Sequence, residues 1–378
     1  MSAPAPMPDD ETTTLHARTV GPGYELGPFL GRGGTAVVFE ASHPDHAERF
    51  AVKILVDKRL HTTRAFGAIY EQARAIADLR SPHVVRMYDA GRTASGEPYI
   101  VMERLDGEDL AQHIRANGGV PIKEAVRLTL QVCYGLAEVH AQGLVHEDVK
   151  PSNLVLTRSS SGELSLKIID FGTSIPADRP EERLLTGSPG YAAPEQLDGE
   201  VEVDARADVW AVGIVLYELV TGRRAFEART LMEARTAIAT KPPSPMVSPH
   251  GPVPPELLAI VRTCLEVDRT KRFATIADLG AALTVVAAKL ARPEASTRVD
   301  RSRQAPTVVK KRGGWTKTRR TLVLAALGPV CALVTMSGVR LAMGSSSSAT
   351  LRQAHVSSRV TPADVAAKPA PPKPPALR

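Results

Sequence analysis

Cysteine is nearly absent from this sequence of 378 residues: Cys133, Cys264 and Cys331 are all there are. So few thiols exclude a disulfide scaffold, and none stands at metal-ligand spacing from another. A reducing compartment is therefore expected for the folded part. The first twenty residues lack any apolar run and carry Asp9, Asp10, Glu11 and three prolines, which argues against a cleaved signal peptide. No internal repeat is visible. Acidic residues are almost missing from one region, residues 298–378, where fifteen Lys/Arg face only Asp300 and Asp364. Residues 1–297 then hold 32 basic and 39 acidic residues, a net of −7 inside a chain of net charge +6. A nucleic-acid-binding body would carry the basic excess on its folded part. Here the excess is segregated, as it is beside a membrane.

What is present reads as one long globular stretch with appendages. Apolar residues make up 43% and charged residues 23%, an ordinary globular balance. Residues 1–20 are Pro/Thr/Asp-rich and read as a disordered arm. Strand-like runs follow at Tyr24–Leu30, Ala36–Ala41, Phe50–Leu55, Val84–Ala90 and Pro98–Glu103, with a helical stretch at Phe66–Leu79. Beyond Leu110 the spacing is helical at Ile122–Gln142, Ala205–Thr221, Leu231–Ala239, Glu256–Leu265 and Ile276–Lys289. Strands first and helices second predict an α+β fold. Its small β-rich lobe covers about 21–103 and its larger helical lobe about 104–285.

Residues 286–320 form a basic linker, with nine Lys/Arg between Arg298 and Arg320. Leu322–Val339 then gives 18 residues without charge, widening to 321–343 if Arg340 is admitted. At about 1.5 Å per residue these lengths bracket a bilayer core. Lys310, Lys311, Arg312, Lys317, Arg319 and Arg320 crowd the N-terminal flank. Cytoplasmic flanks carry such charge, which predicts a single-pass protein of the cell inner/plasma membrane with its folded part in the cytoplasm. Gly328, Pro329 and Gly338 temper the hydrophobicity, and a buried core helix is the other reading. The Ser/Pro/Ala-rich tail, 344–378, offers nothing globular to bury such a helix.

Four short segments carry candidate chemistry. Leu30, Gly31, Arg32, Gly33, Gly34, Thr35, Ala36, Val37 and Val38 form a glycine-rich turn between two strand-like runs. Without side chains at Gly31 and Gly33, backbone N–H groups can approach a polyphosphate. Ala51-Val52-Lys53 follows on the next strand and can aim a cation at phosphate oxygens. Taken singly, the first fits any glycine-rich hairpin and the second any solvated strand lysine. His146-Glu147-Asp148-Val149-Lys150-Pro151-Ser152-Asn153 puts a carboxylate, a cation and an amide within six residues. That set can accept a hydroxyl proton, steady a transferring phosphoryl group and ligate Mg2+. Asp170-Phe171-Gly172 closes an apolar strand with a carboxylate, a costly arrangement unless it meets a cation or hydrogen bonds.

In order and spacing these segments resemble the protein kinase superfamily, and within it bacterial membrane-anchored serine/threonine kinases. The resemblance runs from about Tyr24 to Leu283 and includes Ala193-Pro194-Glu195, Asp208 to Gly213, and Arg272. It implies a bilobal kinase-like fold, ATP and Mg2+ as cofactors, and protein substrates with Ser or Thr acceptors. No nucleic-acid partner is implied, and a homodimer is left open. The glycine-rich loop would cover ATP, Lys53 would hold its phosphates, and Val38 and Ala51 would line the adenine roof. Met102 would precede a hinge, Glu103 to Leu105, that bonds adenine. Asp148 would be the catalytic base, Lys150 the contact to the γ-phosphate, and Asn153 and Asp170 the metal ligands. Glu195 would pair with Arg272, and Asp208 would brace the catalytic loop. Lys150 and Ser188 resemble the Ser/Thr class, in which the Ser188 hydroxyl would bond both Asp148 and Lys150. Thr297, Ser302 and Thr307 in the linker are candidate autophosphorylation sites.

Three positions depart from the family pattern. Ala36 replaces the third loop glycine, a change of one methyl. Counting back from Ser81-Pro82-His83, the helix glutamate that would pair with Lys53 is Gln72, which offers a hydrogen bond but no charge. Glu147 replaces the arginine that precedes the base, so a phosphate on the activation segment would be repelled rather than held. Slow turnover follows from Gln72, and the alternative function is a pseudokinase, a nucleotide-binding scaffold with little or no phosphotransfer.

Overall fold

The structure, a computed structural model, describes residues 19–158, 162–171, 188–199, 203–228 and 230–292. Two compact units divide the chain, Met1–Val299 and Asp300–Arg378; everything described lies in the first. The expected linker beyond residue 292, the expected span at 321–343 and the tail lie outside the described residues. Among the described residues no helix is long and apolar enough to cross a membrane.

The first lobe is a six-stranded antiparallel sheet ordered β1-β2-β3-β4-β6-β5. Its strands are β1 (Thr19–Val20), β2 (Tyr24–Arg32), β3 (Ala36–His43), β4 (His46–Leu55), β5 (Met87–Arg92) and β6 (Pro98–Glu103). Strand parity sorts β4 between two cores. Phe50, Val52 and Ile54 join Phe39, Tyr99 and Val101 on the outer face. Ala51 and Leu55 point the other way, into the core shared with Ile100 and Met102. Lys53 falls between them, so alternation alone turns it toward the second lobe. One helix, α1 (Thr63–Ala77), covers that inner face. Thr62 caps it, its Oγ1 accepting from Ala65 N at 3.2 Å, and Ala65, Ile69, Ala73 and Ile76 are buried.

The second lobe is helical, with a three-stranded sheet ordered β7-β8-β9 at its top. The strands are β7 (Gly107–Asp109), β8 (Leu154–Arg158) and β9 (Leu164–Ile168). The helices are α2 (Leu110–Asn117), α3 (Ile122–Ala141), α4 (Pro194–Leu197), α5 (Arg206–Thr221), α6 (Leu231–Thr240), α7 (Pro255–Cys264) and α8 (Ile276–Ala291). Helix α5 is buried almost all round, which makes it the axis of the lobe. A Cβ on Gly213 would stand 2.4 Å from that of Cys264, so glycine is what lets α7 approach. Gly222 ends α5 in the left-handed region at φ 68°, its N–H bonding Glu218 O at 2.8 Å.

Three expectations are corrected. Thr19 and Val20, expected in the arm, instead pair with Glu25 and Tyr24, and Val20 is buried. The linker does not begin at 286: α8 continues to Ala291 and buries Val286. The strand expected at Val84–Ala90 starts at Met87, because Val84 and Val85 cross to the second lobe and bond with Ile168.

Candidate active site

The cleft between the lobes is assembled from register. Val38 pairs with Lys53, Ala51 with Met102, and Lys53 with Ile100. The expected roof residues, the lysine and the residue before the hinge therefore lie side by side. The glycine-rich segment is the hairpin joining β2 to β3, with Gly31 opposite Val38 and Arg32 opposite Val37. Gly33 N donates to Ala36 O at 2.8 Å across the turn. Leu30 and Thr35 flank that turn, and a Cβ placed on Gly31 or Gly34 would meet nothing within 4 Å. The Ala36 methyl is buried in the shared core, so the departure at that position is absorbed by packing. In the hinge, the Glu103 carboxylate is turned to structure, accepting from Lys167 Nζ at 2.6 Å and Arg86 N at 2.7 Å. Arg104 donates to Leu105 O.

In the helical lobe, β8 and β9 bring the two predicted metal ligands together. Leu154 pairs with Ile168, so the residue before one and those after the other must be neighbours. Ile169 N accordingly donates to Asn153 O at 2.9 Å, and Asp170 follows. Asp170 sits in the left-handed region at φ 64°, uncommon for a residue with a Cβ. Lys53, only 6% exposed, donates from Nζ to Asp170 Oδ1 at 2.9 Å. Burial pushes the Asp170 carboxyl up. The Lys53 charge and hydrogen bond outweigh this, helped by His146 and Lys150, and hold it below the usual carboxylate range.

The loop carrying Asp148 is pinned from below. Asp208, fully buried in the first turn of α5, accepts three bonds: His140 Nε2 at 2.8 Å, His146 N at 2.9 Å and Glu147 N at 2.9 Å. Those bonds hold Glu147 at φ 65°, a conformation that costs about 1–2 kcal/mol unsupported. Gln196 Nε2 adds a bond to Glu147 O at 2.9 Å. His146 ties this loop to the next, with Nε2 on Ile169 O at 3.0 Å and its ring 4.7 Å from Phe171. Lys150 Nζ donates to Asp148 Oδ2 at 2.6 Å, and Asn153 Nδ2 donates to the same oxygen at 3.0 Å and to Asp148 O at 2.9 Å. Both side-chain bonds fall on Oδ2. Oδ1 takes neither of them and can chemically accept a proton.

The donor set fits a divalent cation. With its nitrogen engaged by Asp148, Asn153 keeps its amide oxygen for a ligand, and Asp170, whose Oδ1 holds Lys53, keeps Oδ2. One carboxylate and one amide make the sparse protein ligation that Mg2+ accepts when substrate phosphates complete its sphere. Two expected contacts are not formed. Gln72 is half-buried on α1 and makes no hydrogen bond to Lys53, whose partner is Asp170. The Ser188 hydroxyl bonds neither Asp148 nor Lys150, which bond each other. Gly172, Thr173, Ser174 and Thr186 lie outside the described residues. Glu195 and Arg272 form the expected buried pair, with two bonds of 2.7 Å each. Sequence reasoning gave no role to His140 or Gln196. Each is a single polar residue at a helix end, without a spacing signal.

A family model described as the protein kinase domain matches residues 24–282. A probable serine/threonine-protein kinase from Corynebacterium efficiens is 32% identical over 302 residues, covering 76% of this chain and 44% of that relative. Pkn1 of Myxococcus xanthus is 32% identical over 290 residues, covering 73% and 41%. The solved kinase domain of Mycobacterium tuberculosis PknI superimposes with a TM-score of 0.53 at 25% identity, covering 71% of this chain and 98% of that domain. The chain belongs to the protein kinase family. It spans less than half the length of the two curated relatives named.

Proposed function

We propose that the protein transfers the γ-phosphoryl group of Mg·ATP to serine or threonine hydroxyls of proteins, itself included. The observation that carries this is convergence. Lys53 from the sheet lobe meets Asp170 from the helical lobe at 2.9 Å, and Asp148, Lys150 and Asn153 are bonded together beside them. Asp148 Oδ1 takes the proton of the acceptor hydroxyl as its oxygen bonds to the γ-phosphorus and the bond to the β–γ bridging oxygen breaks, releasing ADP. Lys150, already on Oδ2, is placed to steady the transferring group. Lys53 exchanges its ion pair for nucleotide phosphates. Bound Mg2+ would neutralise charge on the phosphate oxygens, held by Asp170 and Asn153.

The test is incorporation of labelled phosphate by the purified full chain with Mg·ATP, beside Asp148→Asn. Loss of a general base costs roughly 10²–10⁴-fold, so transfer by the wild type and near silence of the mutant are expected. Equal, background-level signals would instead fit the nucleotide-binding scaffold. The second part of the proposal is a single membrane span at 321–343 with the kinase domain in the cytoplasm. It is supported by the 18 uncharged residues Leu322–Val339 and the basic flank before them.

A further inference from the structure

Ser188 to Gln196 is the stretch of chain beside the catalytic loop, tied to it by the Gln196–Glu147 bond at 2.9 Å. On the phosphotransfer reading, a substrate residue that reaches Asp148 would bring its neighbours close to this stretch. Tyr191, in its middle, donates its hydroxyl to Glu218 Oε2 at 2.7 Å. The Arg224 guanidinium lies 5.5 Å above the Tyr191 ring, and its Nη1 stands 3.8 Å from where a Gly190 side chain would begin. Arg115, on α2, is the other cation acting on Glu218. Arg223 follows the same end of α5, its N–H donating to Thr221 Oγ1 at 3.1 Å. Arg115, Arg223 and Arg224 are all exposed, and among the described residues none forms an ion pair within 4 Å.

Glu218 is half-buried with its Oε2 engaged by the tyrosine hydroxyl, and Glu227, three residues on from Arg224, is exposed. Among the described residues three arginines stand against these two carboxylates, on a segment (residues 1–297) whose net charge is −7. A basic patch on an acidic body selects an acidic partner. Resting on the phosphotransfer reading above, we infer that Arg224 is a specificity-determining residue that selects acceptor segments carrying aspartate or glutamate beside the Ser/Thr. The rival reading is that Glu218 selects a basic neighbour through Oε1, the oxygen that Tyr191 does not engage.

Matched peptides with one serine and glutamate, alanine or lysine at each of the three positions on either side, assayed with the full chain, test this. The best glutamate peptide should exceed its alanine match about fivefold in kcat/KM, the scale of one exposed ion pair. The gain should appear in KM and shrink at about 0.5 M salt. Arg224→Ala should erase the preference and Arg224→Glu should shift it to lysine peptides, with thermal melts unchanged because the side chain is exposed. A lysine preference in the wild type, a glutamate preference that survives Arg224→Ala, or transfer indifferent to charge overturns the inference and leaves the phosphotransfer reading standing. No transfer to any peptide or to the protein itself overturns both.

Discussion

A carboxylate and a guanidinium that both leave water must find each other, and Glu195 and Arg272 do so with paired 2.7 Å bonds. The remaining donors of Arg272 reach Glu266 O, Arg206 O and Val267 O, and its guanidinium lies 5.1 Å above Trp210. Arg272→Met should therefore cost about 3–5 kcal/mol, or roughly 10 °C in Tm, by stranding Glu195. Arg272→Lys should rescue little, because an ammonium cannot reproduce the fork. Changing Glu195 to Gln as well should recover part of the loss; strict additivity in the double-mutant cycle would refute the coupling. The Lys53–Asp170 pair makes a prediction in pH. Asp170 is held below its unfolded value, so its contribution is complete above the ordinary carboxylate range and lost as pH falls through the folded value. In Lys53→Met, burial is left as the leading influence and the carboxyl rises. The gap in urea midpoint between wild type and Lys53→Met should therefore widen from pH 3 to pH 6. A gap independent of pH would show that Lys53 does not stabilise ionised Asp170.

Among elements, α1 departs most from expectation. Without a bond from Gln72 to Lys53, its position rests on its buried small-residue face and on Arg92. That arginine donates to Gly96 O at 2.7 Å and His61 O at 3.0 Å and lies 4.3 Å above Phe66. Gln72→Ala should accordingly change kcat/KM by less than about threefold, since no hydrogen bond is removed. A tenfold loss would show that Gln72 engages Lys53 during turnover. Helix rotation is the kind of fact the sequence hides: the motif count located Gln72, but whether it reaches a lysine on another element depends on how α1 packs. Alternation made β4 legible, because Phe50, Val52 and Ile54 against Ala51, Lys53 and Leu55 is a pattern of period two. β7 was not legible, since Gly107–Asp109 is three residues with none fully buried. Helix α2 was missed although Asp109 caps it, Oδ1 accepting from Gln112 N at 2.8 Å, and Gly118 ends it at φ 65°. Eight residues with only Leu110 and Ile114 buried give too little periodicity to stand out. The site was legible through spacing within the Asp148–Asn153 and Asp170 segments. The backbone at Glu147 was not, because its left-handed conformation is imposed by Asp208, sixty-one residues on. Glu147 also predicts that alanine at Thr173, Ser174 and Thr186 together leaves more than about a tenth of the rate. A larger loss in the same assay would show that phosphate on that segment is required.

At the scale of the whole chain, charge is segregated. Fifteen Lys/Arg fall in residues 298–378, and nine of them stand between Arg298 and Arg320, just before the uncharged run. Two forces would then act at a membrane, and they respond differently to solution conditions. Basic residues near an anionic leaflet contribute about 1 kcal/mol each, within a Debye length, and are screened by salt. Insertion of an apolar helix is a desolvation effect that salt does not weaken. The full chain should therefore stay with the membrane fraction through about 1 M salt and through alkaline carbonate. Deleting 321–343 while keeping the linker should leave binding to anionic vesicles at low salt that is released as salt rises. Replacing the six flank residues Lys310, Lys311, Arg312, Lys317, Arg319 and Arg320 with glutamine, with 321–343 intact, should instead preserve carbonate resistance but weaken the proposed orientation bias, kinase side to the cytoplasm. That bias is read by protease accessibility from either side of sealed vesicles. Release of the unmodified chain by salt alone would mean that it is held by its charges and not by a span.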